Sequence, residues 1–187
     1  MKNIHPSTMT FSEYADFTER EPWKWEYHAG TVVEMPPLGI DHHRISTDVM
    51  TAFSRGLEKV KSTECFGSRL PIYVAVLDKV LYPDGSIFSE TPILHQNFGV
   101  KNPRVLLEVL SSGTEAYDRG DKFTFYRCLP SLKTYVLIDS TKRSVQTFTR
   151  TPEYWALRAY DETHPAFCLD VLGLKISMDD IYARVDF

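Results

Sequence analysis

The chain predicts an α/β protein with a restriction-endonuclease-like architecture: a mixed β-sheet flanked by helices, with an antiparallel part. Three observations carry that expectation. Val105–Leu110 is an apolar run of strand length with no alternation, which reads as a strand covered on both faces. Ile45, Val49, Phe53 and Leu57 recur every fourth residue and read as the buried stripe of a long helix. Ser144–Thr149 alternates and pairs naturally with Tyr135–Asp139, and Trp155–Tyr160 extends that meander.

In chain order, Thr10 and Glu13 have capping-box spacing ahead of a short helix over Ser12–Thr18. Two strands around His28-Ala29-Gly30 follow, then a helix with Asp41 as N-cap and Val60 closing its stripe. Leu70–Val76 is a strand, Val80–Phe88 a second and interrupted one, and Ser89–Asn102 a loop. A helix is expected over Thr114–Leu129, and the chain ends in a short acidic helix over Met178–Ala183.

With 187 residues, 43% hydrophobic and 25% charged, the chain can bury a sizeable core as a soluble globular protein. We expect one domain over residues 1–187, with 1–9 a flexible N-terminal arm. Three cysteines, Cys65, Cys128 and Cys168, are odd in number and widely spaced. They read as reduced thiols of a cytoplasmic protein rather than a disulfide frame or zinc site. No apolar segment approaches the roughly 18 residues of a membrane span. The net charge of −4 is unevenly distributed. Residues 101–150 hold nine Lys and Arg against five Asp and Glu, compatible with a phosphate-facing surface.

Glu108 sits inside the apolar run, and a buried carboxylate needs a cation, supplied by a Lys, an Arg or a metal. Pro83-Asp84-Gly85 is by itself a turn signal. Placed on a strand near Glu108, Asp84 would complete an oxygen-rich pair suited to Mg²⁺ or Mn²⁺. Lys122 follows Asp118 by four residues, so it forms either a surface ion pair or an inward-facing ammonium. His42 lies three residues before Ile45 and thus near the buried helix face; adjacent His43 points about 100° away, so the two cannot easily ligate together. Trp23, Trp25 and Tyr27 read as hairpin core rather than a base-stacking platform.

Pro83-Asp84, Val105-Leu-Leu-Glu108-Val109-Leu110-Ser111 and Tyr117-Asp118-Arg119-Gly120-Asp121-Lys122-Phe123 resemble, in order, the Uma-type family of putative restriction endonucleases. That family lies within the PD-(D/E)xK nuclease superfamily, and the resemblance covers nearly the whole chain from Thr10. It implies a Mg²⁺- or Mn²⁺-dependent phosphodiesterase acting on DNA, with Asp84, Glu108 and the Val109 carbonyl as metal ligands. Glu26 matches a further family acid, and Leu110 stands where the superfamily usually has its lysine, a role the resemblance moves to Lys122. Gly85 departs from the apolar residue that generally follows the family's Asp. Arg119, Arg44 and His42 are the candidates for contacting neighbouring phosphates, and a homodimer suits cleavage of two antiparallel strands. The competing reading is a non-catalytic nucleic-acid-binding module that keeps the nuclease fold.

Overall fold

A computed structural model describes residues 4–187. The largest sheet runs in the order β10 (Trp155–Tyr160), β9 (Val145–Arg150), β8 (Thr134–Asp139), β7 (Val105–Leu110), β6 (Gly85–Phe88), β3 (Glu64–Gly67). Only β7 and β8 are parallel; the other neighbours are antiparallel. A four-stranded antiparallel sheet is ordered β2 (Thr31–Glu34), β1 (Trp25–His28), β5 (Lys79–Leu81), β4 (Ile72–Val74). β11 (Ala166–Leu169) and β12 (Leu174–Ser177) form a separate hairpin. The helices are α1 (Phe11–Thr18), α2 (Ile40–Leu57), α3 (Glu115–Tyr117), α4 (Phe123–Tyr126) and α5 (Met178–Tyr182). The expected mixed sheet with flanking helices and antiparallel parts is what the chain forms. No helix among the described residues is long and apolar enough to cross a membrane.

Two apolar layers sandwich β7 and β8, which explains their unbroken hydrophobicity. On one face, Ile45, Val49, Phe53 and Leu57 of α2 pack with Val105, Leu107 and Val109. On the other, Leu106 and Leu110 pack with Tyr126 and Leu129 and with Ile72 and Val74 of the smaller sheet. Since successive strand side chains alternate, Glu108 belongs to this second face, between the smaller sheet and the helical crossover from β7 to β8.

Thr10 caps α1 with the predicted capping box: the Glu13 amide donates to Thr10 Oγ1 at 3.3 Å and the Thr10 amide to Glu13 Oε2 at 2.8 Å. α2 starts two residues earlier than an Asp41 N-cap implies. Its N-cap is Gly39 and Asp41 lies inside the first turn, where its charge still favours the positive end of the helix dipole. Val60 falls beyond the helix and is 45% exposed. Trp23 is also exposed, at 58%, because β1 begins only at Trp25, whereas Tyr27 is buried. Val80–Phe88 divides between the two sheets, as β5 and β6. The short strands β3 and β11 have no clear sequence signature. Residues 1–3 of the expected arm lie outside the described residues; the amides of His5 and Met9 donate to the carbonyls of Val32 and Gly30, at 2.8 and 2.9 Å.

Candidate active site

The antiparallel register pairs Gly85 with Leu107, and one further step places Asp84 opposite Glu108. The Asp84 amide donates to the Leu107 carbonyl at 3.0 Å, continuing the ladder to that point. A separation of 24 positions in sequence thus becomes a cross-strand pair. Gly85 makes this approach feasible, because a Cβ there would collide with Met50 Sδ and crowd Leu107 Cδ2 at 3.1 Å. The departure from an apolar residue therefore reflects how closely α2 lies on β6. Pro83-Asp84-Gly85 serves as the crossing between sheets and as the start of β6, not as a hairpin turn.

Lys122 reaches this pair from the helical crossover. Between α3 and α4, residues Asp118–Lys122 form a π-helical turn, which inserts one extra residue relative to an α-helix. Residues five apart then align, so Tyr117 and Lys122 face the same side, and the lysine Nζ lies 5.9 Å from the tyrosine ring centroid. Asp121, which α-helical spacing would put beside Tyr117, is exposed. The Lys122 ammonium is 2.9 Å from Glu108 Oε1, 3.4 Å from Asp118 Oδ1 and 3.9 Å from Glu26 Oε1, and donates to the Tyr82 carbonyl at 3.0 Å. The Asp118–Lys122 pair exists, but it is buried (3% and 1% exposed) rather than on the surface.

The remaining partners fix the carboxylates. Tyr126 donates its hydroxyl to Glu108 Oε1 at 3.2 Å. Glu26, on β1 and fully buried, accepts from the Tyr117 hydroxyl at 2.6 Å and lies 3.5 Å from His28. Asp84 Oδ2 accepts from His42 Nε2 at 2.8 Å and from the Val109 amide at 2.9 Å, so both bonds use one oxygen. A cavity of about 30 Å³ lies among them, lined by His42, Asp84, Glu108, Asp118, Lys122 and Lys24, with Thr114, Tyr82 and apolar residues completing the wall.

Burial raises the carboxyl of Glu108 well above the usual range; Lys122 opposes the shift, while Asp118 and Asp84 add to it. The Asp118 carboxyl is raised as well, mainly by burial. Asp84 is held below its usual value, because the bond from His42 and the nearby charges of His42 and Lys122 outweigh its burial. Glu26 is also lowered against burial, by His28, Lys122 and Tyr117. Burial alone would depress Lys122, yet Glu108, Asp118, Glu26 and Asp84 together raise its ammonium pKa. Acidic groups outnumber the ammonium at their centre.

The residues suit a hard divalent cation in donor chemistry and in charge. Beside the cavity, the buried His42 Nδ1 has no hydrogen-bond partner, and Asp118 Oδ1 has only its ion pair with Lys122. Among the described residues no three acids, histidines or cysteines converge as a preformed ligand set. The ammonium of Lys122 stands between the carboxylates, so Asp84 and Glu108 are available as a pair.

Of the predicted site residues, Asp84, Glu108, Lys122, His42 and Glu26 come together, with the Val109 backbone beside Asp84. Arg44 and Arg119 do not line the cavity. Arg44 pairs with Asp41 at 2.9 Å, while Arg119 pairs with Glu115 at 2.7 Å and bonds Gln146. Other cations of the basic middle are likewise held locally, Arg143 by Asp179 and Arg150 by the carbonyls of Leu132, Arg127 and Leu129. Sequence reasoning missed Tyr117 and Lys24 as site residues and left open whether the face shared by Lys122 and Tyr126 points toward the site. Tyr126 had a usable signal, sharing the helical face of Lys122 at a spacing of four.

A family model described as "Uma2: Putative restriction endonuclease" matches residues 11–179. Two uncharacterized proteins of Synechocystis sp. are similar. One, slr1290, is 30% identical over 176 residues, covering 94% of this chain and 92% of its own. The other, sll1609, is 27% identical over 152 residues, covering 80% and 85%. A crystal structure described as a putative nuclease belonging to DUF820, from Anabaena variabilis, matches with a TM-score of 0.73 at 19% identity. It covers 94% of this chain and 98% of that one, a likeness of fold.

Proposed function

The chain belongs to the Uma2 family of putative restriction endonucleases, and we infer that it hydrolyses DNA phosphodiester bonds at the Asp84–Glu108–Lys122 site with Mg²⁺ or Mn²⁺. The observation that carries this is a buried ammonium 2.9 Å from a carboxylate whose cross-strand neighbour is a second carboxylate. Asp84, Glu108 and the Val109 carbonyl would hold the cation. Within a strand the N–H and C=O of one residue point to the same side, and Val109 lies beyond the last β6–β7 pair, so its carbonyl is free of that ladder. Bound there, a divalent ion supplies a more acidic water and neutralises charge on the phosphoryl oxygens.

The protein's own groups divide the remaining work. Lys122 stays protonated throughout the working pH range, so it acts as a donor that orients water or stabilises the developing oxyanion, not as a general base. His42 and the Val109 amide hold Asp84 by Oδ2, leaving Oδ1 available toward the cavity. Glu26 bears on the reaction through Lys122 and Tyr117 rather than as a metal ligand. Two antiparallel DNA strands suit a two-fold pair of such sites, so a homodimer is the expected assembly, read by analytical ultracentrifugation.

Plasmid nicking in Mg²⁺ or Mn²⁺ tests this function. Lys122→Ala is expected to lower the rate about 100- to 1,000-fold, the scale of one lost oxyanion donor. Calorimetric Mn²⁺ binding should persist in folded Lys122→Ala and be lost in Asp84→Asn. Equal rates in wild type and Lys122→Ala would remove the lysine from the mechanism. DNA binding without cleavage in wild type would leave the non-catalytic module in its place.

A further inference from the structure

We propose that the open groove between α2 and the edge strand β3 seats the nucleic-acid strand flanking the scissile phosphate, with Arg55 and Arg69 neutralising backbone phosphates. This rests on the site being one for nucleic acid. The main part of the groove is about 520 Å³, lined among others by His43, Ser46, Arg55, Gly67 and Ser68. It continues past Gly67 and Ser68 to Arg69.

Position is the first argument. Gly67 pairs with Gly85, the residue after Asp84, so the groove floor lies one strand away from the site. A side chain at Gly67 would meet only open space, as expected of a floor. Lys24 ties groove and cavity together, because it lines the cavity and donates to the Ser68 carbonyl at 3.1 Å.

Charge is the second argument. The chain has 25 acids and a net charge of −4, yet no acid lines either part of this groove. Arg44, Arg119, Arg143, Arg158 and Arg184 are all paired with carboxylates, whereas Arg55 and Arg69 are exposed and form no ion pair among the described residues. Arg20 and Arg127 are exposed and without an ion pair too, but line neither part of the groove, and Glu19 and Glu21 share a separate cavity with Arg69. Free guanidiniums and small hydroxyl side chains over a glycine floor are groups that contact phosphate and sugar without reading bases. The strand's phosphates would therefore be held on the β3 side, rather than by the basic segment around Arg119.

The test is fluorescence anisotropy of a fluorescein-labelled DNA duplex across a salt series, with Ca²⁺ replacing Mg²⁺ to prevent turnover. Arg55→Ala/Arg69→Ala is expected to weaken binding about tenfold near 0.1 M salt and to reduce the log–log salt slope by about 2, one per lost phosphate contact. Lys175→Ala, which removes an exposed cation on β12, should bind within about twofold of wild type. An Arg55→Ala/Arg69→Ala protein with wild-type affinity and slope overturns the groove while leaving the nuclease reading intact. Wild type that binds but does not cleave, with the double variant weakened, supports the groove and removes the nuclease. Wild type that binds no DNA overturns both.

Discussion

Asp84 and Glu108 face each other across one β-ladder, yet their surroundings push the two carboxyl groups in opposite directions. At the β6 end, Asp84 accepts from a histidine and a backbone amide, which hold it as the anion. At the β7 end, Glu108 shares one lysine with Asp118 and Glu26, and burial raises its carboxyl. One acid is thus favoured as the anion, while burial favours the neutral form of the other. A matched pair would carry the same charge at both ends; the unequal pair keeps one anion and one carboxyl that responds to added positive charge.

Exchanging each acid for its amide breaks this contrast most strongly. Asp84→Asn and Glu108→Gln are each expected to weaken Mn²⁺ binding by more than the roughly 10- to 100-fold typical of a ligand's outer partner. Metal-free melting curves then tell the two apart. Glu108 titrates above its usual 4.5, so its stabilisation is complete below about that pH and is lost as pH rises through the raised value. Asp84 titrates below its usual 3.8, so its stabilisation is present above about that pH and is lost as pH falls through the lowered value. Glu108→Gln should flatten the alkaline limb of the melting-temperature profile and keep the acid limb, and Asp84→Asn the reverse. Identical profiles for the two variants would contradict the asymmetry.

A smaller change sharpens the Asp84 end alone. His42→Ala removes a bond at 2.8 Å and should weaken Mn²⁺ binding about 10- to 100-fold by calorimetry, with partial recovery in His42→Gln. The mildest acts on Glu108. Tyr126→Phe removes one hydroxyl at 3.2 Å, should lower unfolding free energy by about 1 kcal/mol in urea, and should shift the alkaline limb without touching the acid one.

The sheet and its site were legible in proportion to how local their causes are. The Val105–Leu110 run, the α2 stripe and the Thr10 capping box are determined by neighbours in sequence, and they appear as expected. Asp84 and Glu108 could be matched because they end up on adjacent strands. Whether Lys122 turns inward was open at the level of spacing, since a π-turn leaves no periodic trace. The cations of residues 101–150 could not be assigned to a face, because Glu115, Gln146, Asp179 and several backbone carbonyls claim them only in three dimensions. Arg55 and Arg69 are distinguished by position instead: they form no ion pair among the described residues and line the groove beside β3.

The π-turn also lets this helical segment carry one residue more than its aligned faces require. Gly120 lies within the turn, and nothing lies within 4 Å of where its side chain would be. Deleting it would let residues 115–126 close into an ordinary helix without removing any packed group. Tyr117 and the lysine would then stand four apart, a spacing that an ordinary helix also aligns on one face. Such a chain would keep every acid of the cavity and would present the same lysine to the same side. In a helix without the turn the same deletion would swing the lysine by about 100°, so the turn lets the chain gain or lose one residue without moving the ammonium.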